Sequence, residues 1–92
     1  MSVAGSHAGE FETSMMLAVR PGLVRTDRAA AGDPRPLAEV LDLMIREGIH
    51  AVSANGVLGD QRAGDAARGE RYLDALADYL VADVRRYLEN AT

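Results

Sequence analysis

The chain has 92 residues, 48% of them hydrophobic and only 4% aromatic, with a formal net charge of -4 and no cysteine. That length holds one domain at most, residues 1–92, with an aliphatic, alanine-rich core. The missing thiols exclude a disulfide framework, a thiolate metal site and a cysteine nucleophile. All 10 basic residues are arginine, scattered among the acids with no basic patch or stacking aromatic series, which argues against nucleic-acid binding. The apolar run Met15–Val19 is too short for a signal-peptide core or a membrane span. The expectation is a soluble cytoplasmic protein that engages neither nucleic acid nor membrane.

In chain order, Thr13 or Ser14 can cap a short helix running through Met15, Leu17 and Val19. Arg20-Pro21-Gly22 ends it, and Pro21 can open a further turn through Leu23 and Val24. Residues 25–36, with Gly32, Pro34 and Pro36, read as a surface loop. From Leu37 to Glu47, the residues Leu37, Val40, Leu41, Met44 and Ile45 fall on one helical face, with Pro36 suited to the first turn and Gly48 to the C-terminal cap. Ile49–Ser53 is short, apolar and β-branched, which predicts a buried strand. A helix, a glycine turn and an apolar strand make half of an α/β repeat, so the fold class expected is α/β with a parallel sheet.

Asn55–Asp60 forms a turn-rich loop at the end of that strand, where ligands of open α/β sheets usually bind. Asn55-Gly56 suits contact with a substrate carbonyl and equally suits an ordinary turn. A final helix should start after an Asp65 cap and run to about Asn90, with Gly69, Leu73, Leu76, Leu80, Val84 and Tyr87 on its apolar stripe. At 1.5 Å per residue such a helix would be about 37 Å long, which predicts packing against something larger than this chain.

Three residues near the N-terminus carry chemistry. His7, Glu10 and Glu12 lie within six positions, just ahead of a helix. A neutral imidazole near a carboxylate can shuttle protons at neutral pH; the same trio is also common on solvated surfaces, and spacing alone leaves both readings open. A hydrolytic metal site needs at least three protein ligands, and the only other histidine, His50, falls in the predicted strand. Metal ligands are therefore not assigned to this chain. Gly56, Gly59 and Gly64 match neither a dinucleotide fingerprint nor a P-loop.

The run from His7 to Pro21, His-Ala-Gly-Glu-Phe-Glu-Thr-Ser-Met-Met-Leu-Ala-Val-Arg-Pro, resembles the His-(Ala/Gly)-Gly-x-x-Glu-Thr-Ser-x-Met-Leu-Ala segment of the creatininase family. Leu23–Asp27 fits the continuation of that segment, and Gly56–Asp60 followed by Gly69-Glu70 is similar to the stretch leading into the family's last helix. Pro36–Val40 and Ala51–Asp60 are similar to a subgroup of the family, the mycofactocin-system peptidases, which remove a C-terminal dipeptide from a ribosomally made precursor peptide. The resemblance covers about residues 5–88.

The resemblance implies the C-terminal part of a three-layer α/β/α fold with a mainly parallel sheet. It implies an amidohydrolase in which a metal-bound hydroxide attacks an amide carbonyl, His7 relays a proton to the leaving nitrogen, and Glu12 lies close by and orients that histidine. The substrate implied is a peptide or a small cyclic amide; the cofactor implied is a divalent metal, Zn, Mn or Fe, whose ligands in the family lie in an N-terminal half not found here; a homo-oligomer is also implied. Two departures, Gln61 where the family usually has proline and Ala67 where it often has glutamate, predict a looser start to the last helix. Because the metal ligands cannot be placed, a catalytically inactive remnant or an interaction module stands as the rival expectation.

Overall fold

Three helices organise residues 5–91, the part that the computed structural model of the chain describes. The first, α1, spans Glu10–Val19 and starts a turn earlier than expected, at an extended Gly9 with no side-chain cap. Its two first-turn carboxylates, Glu10 and Glu12, suit the positive end of the helix dipole. Thr13 and Ser14 therefore sit inside the helix instead of capping it. The Ser14 hydroxyl is engaged elsewhere: it accepts from the Asp65 N–H at 3.0 Å and donates to Glu10 Oε1 at 3.3 Å. Short 3-10 turns follow at Pro21–Leu23 and Thr26–Arg28.

The second helix, α2, covers Leu37–Glu47 between Pro36 and Gly48, as the periodicity predicts. Its apolar face divides. Val40 joins Val52 and Leu58 in a small core flanked by Leu43, Met44 and Ile49, whereas Leu37, Leu41 and Ile45 are exposed. The segment expected to be a strand is instead a 3-10 turn, Ile49–Ala51. Its amides bond locally, Val52 N–H to Ile49 O at 3.0 Å and Ser53 N–H to the same oxygen at 2.9 Å. A five-residue segment with apolar Ile49, Ala51 and Val52 fits a turn as well as a strand, and hydrophobic period cannot separate the two.

No strand occurs among the described residues, so the parallel sheet of the expected fold is not seen in them. Extended backbone meets only in isolated antiparallel bridges, His7 with Leu58 and Ala31 with Asp60. Residues 57–60 thus run between residues 5–7 on one side and 31–33 on the other, with Gly32 N–H bonding Gly59 O and Asp33 N–H bonding Val57 O, both at 2.9 Å.

The third helix, α3, spans Ala66–Asn90, and the Asp65 side chain caps it by accepting from Arg68 N–H at 2.9 Å. Its first turns pack across α1. Phe11 and Tyr72 meet with ring centroids 4.7 Å apart and planes tilted by 45°, and a Cβ added to Gly69 would lie 1.9 Å from the Ser14 carbonyl oxygen. Only glycine allows so close a crossing of two backbones. Beyond Leu73 the predicted stripe is uncovered: Leu76, Leu80, Val84 and Tyr87 are all exposed. No described helix is long and apolar enough to cross a membrane.

The crossing makes a direct prediction. Gly69→Ala should destabilise the chain by about 1–3 kcal/mol, because the backbones must separate to admit a methyl group. Gly22→Ala, whose Cβ meets nothing within 4 Å, should leave stability unchanged or raise it by about 0.4–1 kcal/mol. Urea unfolding of both variants checks the contrast.

Candidate functional site

The site begins where residues 5–8 are pinned to the Gly56–Gly59 loop. Ser6 N–H donates to Leu58 O at 2.9 Å, and Leu58 N–H donates back to His7 O at 2.8 Å. This pairing brings the His7 ring to the loop, with Nδ1 at 2.9 Å from the Gly56 carbonyl oxygen. A carbonyl only accepts, so Nδ1 carries the hydrogen in that bond. In the neutral ring the lone pair then belongs to Nε2.

Glu12 does not hydrogen-bond the His7 ring. Its Oε2 accepts from the backbone N–H of Ala8, the residue after His7, which sits at φ 53° in the left-handed region uncommon for a side chain. The expected partnership is therefore indirect, with Glu12 fixing the peptide from which the histidine projects. His7 and Glu12 also line one hollow of about 230 Å³, with Phe11 and Met15 supplying apolar wall.

The two loop residues divide their roles. Gly56 touches His7 through its carbonyl and holds φ at +79°, a conformation that suits glycine. Asn55 Oδ1 accepts from Ser53 Oγ at 2.9 Å and from Val57 N–H at 3.1 Å, and its Nδ2 donates to Ala31 O at 2.9 Å. Asn55 thus braces the loop, while also lining an open depression of about 420 Å³ with Ala31, Asp33 and Ser53. His50 lies exposed in the 3-10 turn after α2.

Sequence reasoning underrated Glu10. Only 3% exposed, it accepts from Arg68 Nη1 at 2.5 Å, from Tyr72 OH at 2.9 and 2.8 Å, and from Ser14. The available signal was Arg68 and Tyr72, one helical turn apart and bracketing Gly69. Burial and the Glu10 carboxylate push the Tyr72 hydroxyl above the usual tyrosine value, and the same carboxylate raises the Arg68 guanidinium. Gln61 also departs from expectation. Its N–H donates to Ala30 O at 3.1 Å and its Oε1 accepts from Ala30 N–H at 3.2 Å, a two-way tie whose first half proline could not make.

Among the described residues no group of three or more His, Asp or Glu side chains could hold a metal ion. The residues described do not by themselves fit a divalent metal centre.

With this geometry in view, comparison with known proteins defines the class. The creatininase family model, described as creatinine amidohydrolase, matches residues 1–84, and the chain belongs to the creatininase family. Family membership agrees with an α/β class, although the described residues are mostly helical. Among similar curated proteins, the mycofactocin precursor peptide peptidase of Mycobacterium tuberculosis strain H37Rv is 45% identical over 82 residues, covering 89% of this chain and 33% of that protein. The same-named proteins of Mycobacterium ulcerans and Mycolicibacterium smegmatis are 43% and 38% identical, over 89% and 91% of this chain and 33% and 34% of their own lengths. The chain spans about a third of the length of the curated relatives it matches. No solved structure matches it. The family and the relatives' names indicate a hydrolase.

The buried carboxylate yields a pH prediction. The folded state holds the Tyr72 proton more tightly than the unfolded chain does, the usual value being 10.0. That contribution to stability is whole below the unfolded value and is lost as pH rises through the folded one. Denaturant unfolding between about pH 8 and 11 should show an alkaline loss of stability that is shallower in Tyr72→Phe. An identical slope in both proteins would contradict the assignment.

Proposed function

We propose that this chain carries the proton-handling segment of a creatininase-family peptidase, whose reaction is removal of a C-terminal dipeptide from a precursor peptide. One observation carries the reading: the His7 ring is anchored through Nδ1 by a neutral carbonyl, with Nε2 left as the basic nitrogen. Amide hydrolysis needs a base for the attacking water and an acid for the leaving nitrogen, since an unprotonated amide nitrogen departs poorly. Nε2 can do both in turn, accepting a proton from water and giving it to the nitrogen as the C–N bond breaks. Glu12 keeps the histidine in place through Ala8, and the Gly56 carbonyl stabilises the imidazolium formed midway.

Support for a peptide substrate over a small cyclic amide comes from relatives 38% to 45% identical that are named as precursor peptide peptidases. The family's divalent metal would take its ligands from the part of the domain that this chain does not span. That remainder is also the natural cover for the exposed apolar faces, Leu37, Leu41 and Ile45 on α2 and Leu76, Leu80 and Val84 on α3. Together they would complete the three-layer α/β/α architecture, in a soluble cytoplasmic homo-oligomer.

The test uses an intact enzyme bearing this segment. His7→Ala should lower kcat for dipeptide release by about 10²–10⁴-fold, with KM for the precursor and metal content little changed. Undiminished turnover would remove the proton-relay role.

A further inference from the structure

We propose that Asn55 is a positioning residue that acts through the Gly56 carbonyl to select the tautomer of His7. The inference rests on the proton-relay reading above and extends it to the residue that makes the relay nitrogen available. An unconstrained neutral histidine in water favours the hydrogen on Nε2, the wrong nitrogen for a base working from that atom. Reversing the preference requires an acceptor held at hydrogen-bond distance from Nδ1. Here the acceptor is Gly56 O, at 2.9 Å.

That carbonyl belongs to a residue at φ +79°, so its direction depends on what holds the turn. Asn55 holds it from three sides. Its Oδ1 ties the turn's beginning, through Ser53 Oγ, to its end, through Val57 N–H, and its Nδ2 reaches 24 residues back to Ala31 O. Ser53 is itself buried, and Ala31 sits next to Gly32, whose N–H bonds Gly59 O. The bracing thus extends from the core to the far side of the loop. This arrangement also weighs against Asn55 as a direct substrate ligand: both acceptor bonds and one of its two N–H groups are already engaged within the chain.

Nitrogen-15 spectra of the histidine rings in the full chain test the proposal, recorded at about pH 8. His50, exposed in its turn, is the internal reference for an unconstrained ring. His7 should show the hydrogen on Nδ1 while His50 shows it on Nε2. In Asn55→Ala the Nδ1–H to Nε2–H ratio of His7 should fall by about tenfold, the scale of one intramolecular hydrogen bond, with the α1–α3 resonances unmoved. Asn55→Asp keeps both acceptor bonds but sets a charged oxygen against Ala31 O in place of the donor, so it should lower the ratio less than Asn55→Ala does; if the alanine variant fails to fold, a ratio unchanged in Asn55→Asp overturns the proposal.

An Nε2–H ring for His7 in the unmutated chain overturns the proposal whatever the variants do, and so does an unchanged ratio in a folded Asn55→Ala. The relay reading fails separately. An active His7→Ala enzyme with His7 shown as Nδ1–H would remove catalysis and leave the positioning intact.

Discussion

A carboxylate taken out of water destabilises a fold unless hydrogen bonds replace its hydration, and Glu10 is the group around which that requirement is met. Arg68, Tyr72 and Ser14 all donate to it. Two of the three lie on α3, so the charge is satisfied only when α1 and α3 cross. The crossing in turn needs Gly69, because the Ser14 carbonyl occupies the space of any side chain there. Removing the carboxylate would leave Arg68 without its ion pair and the Tyr72 hydroxyl without an acceptor. Neither helix keeps its place without the other's polar groups.

The consequence for the site is geometric. Glu10 follows His7 by three residues, so the joint that fixes the first turn of α1 also fixes where the His7 segment leaves it. From there, Glu12 on Ala8 and the pairing with Leu58 bring the ring to Gly56. On the other side, Asn55 holds the loop that presents the carbonyl. The histidine is positioned from two directions, by a helix joint and by a braced turn, and the contacts that do so lie within a chain spanning about a third of its curated relatives' length.

Some of this was legible in the sequence, and the physics separates what was from what was not. The bounds of α2 and α3 followed from local signals, an apolar period with Gly48 at one end and an Asp65 cap at the other. The His-Ala-Gly-Glu-Phe-Glu-Thr-Ser run pointed to the family because its residue order is specific. The strand at Ile49–Ser53 misled because a five-residue segment with three apolar residues carries too little period to tell a turn from a strand. Ser14 misled because its hydroxyl serves α3, 51 residues away. Glu10 read as a proton-handling candidate and not as a helix joint for the same reason: its partners Arg68 and Tyr72 stand 58 and 62 residues on. Local pattern shows which residues can cap or pack, and it does not show which distant group they meet.

The central claim is that the Glu10 joint governs the placement of His7. Amide hydrogen exchange at Leu58, whose N–H bonds His7 O at 2.8 Å, measures it directly. Glu10→Gln should speed exchange at Gly69, whose amide lies at the helix crossing, and at Leu58 by a similar factor, as the joint and the histidine segment loosen together. Faster exchange at Gly69 with Leu58 as protected as before would show that the histidine segment is held independently, and would contradict the account.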